Sequence, residues 1–143
     1  MLQKQISVFI ENKRGRLAEI TRILGENGVD MRALCIADTA DFGILRIIAD
    51  KTDLAVKVLK AKGFAVSITD VVALAVEDKP GGLAAALAVF DECDINIEYM
   101  YHFIRNKSEM ATIIARVDNP EEAIIKLGNT TLQLLSSSDL NSL

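Results

Sequence analysis

Ile10-Glu11-Asn12-Lys13-Arg14-Gly15-Arg16-Leu17-Ala18 and Val76-Glu77-Asp78-Lys79-Pro80-Gly81-Gly82-Leu83-Ala84 carry one pattern, Glu-x-Lys-x-Gly-x-Leu-Ala, at an offset of 66 residues. At the same offset Gly28-Val29-Asp30-Met31 falls on Asp94-Ile95-Asn96-Ile97. After a two-residue insertion, Thr52-Asp53-Leu54-Ala55 falls on Pro120-Glu121-Glu122-Ala123. Three matched blocks in one order indicate a duplication, and such a repeat sets the organisation of the whole chain. The halves are residues 1–70 and 71–143.

Each half repeats one order of elements. Lys4–Glu11 alternates, with Ile6, Val8 and Ile10 on one face, which is the period of a half-buried strand. The glycine-bearing loop Asn12–Arg16 follows. From Leu17 to Asn27 the apolar residues Leu17, Ile20, Ile23 and Leu24 recur at helical spacing, and Gly28 ends the helix. Arg32–Ala37 and Ile44–Ala49 read as strands around a polar turn, Asp38–Asp41. Thr52 or Asp53 caps a second helix that Gly63 stops, and Ala65–Val72 is a fourth strand. In the second half, strands are expected at about 72–77, 98–104, 110–117 and 131–135. Helices are expected over Gly82–Cys93 and Pro120–Leu127, the latter capped by Asn119. Ser136–Leu143 is expected to fray. The order βαββαβ, twice, predicts an α+β fold of two ferredoxin-like units in tandem, each an antiparallel sheet with helices on one face. Val71–Val76 is uninterrupted apolar sequence, so the last strand of one unit is expected to run into the first strand of the next.

Strand, then Asn/Asp-x-x-Gly-x-Leu, then a helix ending near Gly28-Val29-Asp30 or Asp94-Ile95-Asn96-Ile97, resembles an ACT domain. Because the pattern occurs twice and fills nearly the whole chain, the sequence is similar to stand-alone tandem ACT proteins. The resemblance implies a regulatory module that binds an amino acid between two ACT units, and sheets paired side by side. On that placement loop 78–83 faces the region of Asp30–Ala33, and loop 12–17 faces Asn96–Tyr99. Asp78-Lys79-Pro80-Gly81-Gly82-Leu83 follows the family pattern. The first loop departs from it, with Arg14 where proline is usual.

The residues themselves support the same chemistry. A helix start directs unpaired amides and a partial positive charge at its loop, which suits a carboxylate. Gly15, Gly81 and Gly82 allow backbone to approach a ligand, and Leu17 and Leu83 open the helices. Asn12 and Asp78 offer oxygen acceptors to an ammonium group, as do Asp30 and Asn96 past the helix ends. Arg14 and Arg16 would strengthen carboxylate binding on the first loop. On the placement the resemblance implies, Pro80, Met31, Ile97 and Tyr99 complete the candidate ligand-binding set. Plainer readings exist for each: glycines that turn the chain, Asn12 and Asp78 as turn formers, solvated arginines, and Tyr99, Tyr101 and Phe103 as filling on one strand face. His102 points away from those three.

Composition excludes other classes. Sixteen basic against twenty acidic residues give a net charge of −4. That argues against nucleic acid or an anionic membrane as a charge-bound partner. The halves differ, +2 to residue 72 and −6 beyond it. The longest apolar run, Leu83–Phe90, is eight residues, short of the roughly 18 a membrane span requires. No signal peptide is read at the start. Cys35 and Cys93 lack metal spacing and suit a reducing cytoplasm, as inert buried thiols. With one histidine, no GxxxxGK[ST] and no GxGxxG, neither catalysis nor a cofactor is expected. RNA binding through strand aromatics is disfavoured because Arg32–Ala37 and Ile44–Ala49, read as interior strands, hold none. The expected partners are a free amino acid as effector, a second copy in a homodimer that satisfies the sheet edges, and a separate metabolic enzyme. The rival function is a protein–protein module that regulates an enzyme without ligand.

Overall fold

The computed structural model describes residues 1–38, 40–103 and 109–143. The turn expected at 38–41 therefore includes one residue outside them, and the strand expected over 98–104 ends on another. The chain divides into two compact units, Lys4–Thr69 and Asp70–Leu143, the latter together with Met1–Gln3.

In the first unit the order is β1 (Gln3–Glu11), α1 (Arg16–Glu26), β2 (Met31–Asp38), β3 (Phe42–Ala49), α2 (Thr52–Ala61) and the leading part of β4 (Ala65–Glu77). The strands lie in the order β2-β3-β1-β4, with β3 antiparallel to both β1 and β2. Ile6, Val8 and Ile10 of β1, Leu45 and Ile47 of β3, and Ile20, Ile23 and Leu24 of α1 form one buried cluster with Ala55 and Leu59 of α2. Leu17 is the exception to the expected apolar stripe: it opens the first turn of α1 and is 37% exposed. Helix α2 also departs from expectation. Its N-cap is Lys51, without a side-chain cap, and Asp53 sits in the first turn instead.

The second unit repeats the plan with the rest of β4, α3 (Gly82–Glu92), β5 (Ile97–His102), β6 (Met110–Val117), α4 (Pro120–Gly128) and β7 (Gln133–Leu134). Here β6 pairs with β5 and β4, and β7 pairs with β4 at Leu74 and Ala75. The core gathers Val72, Leu74 and Val76 with Phe90, Ile113, Val117, Ala123 and Leu127. The fusion expected around Val71–Val76 is a single 13-residue strand, β4. Asn119 caps α4 by accepting from the Glu122 amide, with Pro120 in the first turn.

The C-terminus does not fray as expected. Ser137–Ser142 forms a short helix, α5, closed by a reciprocal capping box between Ser136 and Asp139 and anchored by Leu140, which is 3% exposed. Ser137 Oγ donates to Gln3 Oε1 at 2.9 Å, and Gln3 Nε2 donates to the Leu135 carbonyl at 3.1 Å. These bonds tie the first residues of the chain to its last. Cys35 and Cys93 are half-buried rather than fully enclosed.

Both chain reversals after the first helix of each unit use a left-handed residue at the same place in the repeat, Gly28 at φ 68° and Asp94 at φ 55°. Both edge strands then carry a bulge at one position, between Met31 and Ala33 in β2 and between Ile97 and Tyr99 in β5.

Candidate functional site

The duplicated loops share their hydrogen bonds atom for atom. The Asn12 amide donates to the Asp41 carbonyl at 2.9 Å, and the Asp78 amide to the Glu109 carbonyl at 3.2 Å. Lys13 donates to Glu11 O and Lys79 to Glu77 O; Arg16 donates to Lys13 O and Gly82 to Lys79 O. Gly15 at φ 88° and Gly81 at φ 86° make the turn into the helix, a conformation that disfavours a Cβ. Neither helix has a side-chain cap. The Gly82 amide is engaged with Lys79, so the donors that α3 directs at its loop are the Leu83 and Ala84 amides; in α1 they are those of Leu17 and Ala18. The glycines are legible in the sequence and the amides of Ala18 and Ala84 are not, because backbone donors leave no mark in residue type.

The side chains of the two loops differ. In the first, Lys13 pairs with Glu11 at 2.9 Å, and Arg16 lies 3.7 Å from Glu11 and 3.3 Å from Glu19. The hydrogen bond from Lys13, with the charges of Lys13 and Arg16, holds the exposed Glu11 carboxyl below its ordinary range. The Asn12 side chain donates to the Ala40 carbonyl at 3.3 Å, a bond to the distant β2–β3 connection and not to its own turn. Arg14 is exposed. In the second loop Lys79 contacts Glu77, Asp78 and Pro80 are exposed, and Gly82 is buried against the strand end. A Cβ at position 82 would land on the Glu77 carbonyl oxygen.

The other candidates sit at the far end of each sheet. Asp30 accepts from the Asp50 amide, donates to Asp50 Oδ1 through its own amide at 2.9 Å, and pairs with Arg32 at 3.5 Å. Met31 opposes Ala49 at the start of β2. Asn96 accepts from the Asp118 amide, Ile97 opposes Val117, and half-buried Tyr99 opposes Arg116. Glu11 opposes Phe42 and Met31 opposes Ala49, so roughly 24 Å of strand separates Asn12–Leu17 from Asp30 and Met31. The same span separates Asp78–Leu83 from Asn96, Ile97 and Tyr99, since Glu77 opposes Met110 and Ile97 opposes Val117. Within one unit the two sets do not come together.

Two concavities flank the second loop. One, about 410 Å³, lies between the start of α3 and the segment Thr131–Gln133; the other, about 400 Å³, lies between the loop, His102 and the β6 end. Glu77 and Lys79 border both, and neither had been chosen from sequence. Tyr101 and Phe103 are buried, as filling, while His102 is exposed. One aromatic expectation fails. β2 is an edge strand, and β3 begins at Phe42, whose ring stacks on Phe9 of β1 at 5.3 Å with both rings about half exposed. Among the described residues no group of three His, Cys, Asp or Glu side chains is arranged to hold a metal, and no helix is long and apolar enough to cross a membrane.

The sequence matches the ACT domain pair family over residues 1–143. The chain belongs to that family. A crystal structure of protein BT0572 from Bacteroides thetaiotaomicron is 44% identical, with a TM-score of 0.92, over 100% of this chain and 98% of that one. The regulatory subunit of aspartate kinase from Thermus thermophilus, in its ligand-free form, shares the fold at 18% identity and a TM-score of 0.63, over 89% of this chain and 92% of that chain. Aspartokinase III of E. coli, solved in complex with lysine and aspartate, aligns at 18% identity and a TM-score of 0.52 over 91% of this chain and 31% of its own. No curated protein matches.

Proposed function

We propose that this ACT domain pair is an amino-acid-binding regulatory protein without catalysis of its own, its ligand held between two ACT units. The observation that carries the reading is the duplicated loop. In each unit a left-handed glycine turns the chain into a helix whose second and third amides have no partner among the described residues, and a Glu–Lys pair stands at the entrance. Amides and lysine suit a carboxylate, and the glutamate suits an ammonium group. The separation of the loop from Asp30 or Asn96 within a unit favours a site completed by a second unit. That E. coli aspartokinase III was solved with lysine and aspartate supports an amino acid as the ligand class.

The protein acts, on this reading, in the cytoplasm, as a homodimer, passing its state to a separate metabolic enzyme. A dye-based thermal-shift screen against the twenty amino acids tests it. A true effector at about 100 times its Kd adds about 2.7 kcal/mol of stability, or roughly 5–10 °C. Twenty flat curves would sink the reading and favour the second one, a protein–protein module that works without ligand. The exposed Phe9–Phe42 pair is the observation on that side.

A further inference from the structure

The groove of about 410 Å³ beside α3 is within the size range of small-molecule sites. Its walls are Val76, Ala85, Ala86, Val89, Met110 and Leu132, all apolar. Thr131 and Gln133 line it as well, and so do Glu77 and Lys79, which contact each other and keep their side chains more than half exposed.

The first unit shows that this space is not dictated by the fold. At the repeat offset Gly82, Ala85, Ala86 and Val89 correspond to Arg16, Glu19, Ile20 and Ile23. There Arg16 and Glu19 pair at 3.3 Å, while Ile20 and Ile23 are 0% and 2% exposed in the core. Every one of the four positions is larger in the first unit. The second unit thus lines its groove with smaller residues than its sister carries on the same helix face, next to an ion pair of matched charges.

We infer that this groove receives the side chain of an amino acid with an apolar side chain, Glu77 taking its ammonium and Lys79 its carboxylate. The inference rests on the amino-acid reading above and narrows it to a ligand class. A zwitterion replaces each partner of the Glu77–Lys79 pair with one of the same charge, so neither charge is left alone. Along Val76, Ala85, Ala86, Val89, Met110 and Leu132 the lining supplies no side-chain donor or acceptor, so a hydroxyl or charged side chain laid against them would lose its water without replacement. Leucine, isoleucine, valine and methionine incur no such loss.

Affinities of the full chain for leucine, valine, threonine, lysine and glycine, measured by isothermal titration, test this. Valine should bind about 100-fold more tightly than its isostere threonine. Leucine should exceed glycine by at least about tenfold. Ala85→Phe, placed at the open side of the groove, should weaken leucine by at least about tenfold and leave the weak glycine affinity in place. Threonine or lysine binding as tightly as valine would overturn the apolar class while leaving the amino-acid reading intact. So would an Ala85→Phe protein that binds leucine unchanged. If none of the five amino acids binds, the groove inference fails; an amino acid outside this panel that shifts the thermal midpoint would still uphold the parent reading, and twenty flat curves would remove that too.

Discussion

Gly81 and Gly82 are adjacent and identical in sequence, yet they are glycines for different reasons. Gly81 needs its φ of 86° and has open space where a Cβ would go. Gly82 has ordinary backbone but no room, because a Cβ there would strike the Glu77 carbonyl oxygen. Gly81→Ala should cost only the strain of a left-handed alanine, about 1–2 kcal/mol. Gly82→Ala must move the helix start away from the strand, at about 1–3 kcal/mol, and it should also shift the donors of Leu83 and Ala84. Urea unfolding at unchanged slope measures both costs, and amide shifts measure the second. Displacement of the Leu83 and Ala84 amides in Gly81→Ala but not in Gly82→Ala would reverse these assignments. The loop was legible in sequence because its pattern is duplicated, but the division of labour between the two glycines was not. A steric reason lives in the neighbour's backbone, here Glu77, which a residue list does not contain. Asn12 shows the converse: its type fits ligand binding and turn formation equally, and the bond its side-chain amide makes to Ala40 is a long-range one that neither reading foresees.

Elements were readable wherever periodicity ran for two turns or four strand residues, as in β1, α1 and the apolar half of β4. They were lost where a few residues fold by capping. α5 has six residues and one buried anchor, Leu140, too little for a period. Its signal was Ser136-x-x-Asp139, a capping box without the following apolar run that usually reveals one. The structure makes this helix sensitive to acid. Hydrogen bonds from Ser136, side chain first and then backbone, lower the Asp139 pKa from its ordinary 3.8. A lowered folded-state pKa means that the contribution is complete above the unfolded value and disappears as pH falls through the folded one. Amide-exchange protection of residues 139–142 should therefore be flat from neutral pH down to about pH 5 and decline below pH 4. Ser136→Ala, which leaves the backbone amide bond to Asp139 in place, should weaken that pH dependence and cost about 1 kcal/mol of local stability. Protection that persists unchanged to pH 2 would show that Leu140 alone holds the helix.

For the whole molecule, duplication explains both what the two units share and where they have parted. Loop bonds, left-handed helix ends and edge bulges recur at matched positions; net charge and the residue sizes along the first helix do not. The ends of the strand orders, β2 and β5, are edges, and unpaired edges invite association unless something blunts them. In each, the bulge blunts only the first residues, at Arg32 and at Glu98, leaving Leu34–Ala37 of β2 as regular strand. Ile36 in that stretch is 41% exposed, an apolar side chain at an edge with no charge to deter a partner. A two-fold pairing of β2 with its copy would satisfy the edge with identical surfaces. Light scattering at micromolar concentration should then give twice the 15.6 kDa of one chain. Ile36→Lys, which adds a charge at the edge and removes nothing from the core, should lower the mass toward a single chain with little change in thermal midpoint. A wild-type protein already at 15.6 kDa would exclude the dimer. A dimer untouched by Ile36→Lys would move the contact to β5, whose regular stretch after the bulge is Met100–His102.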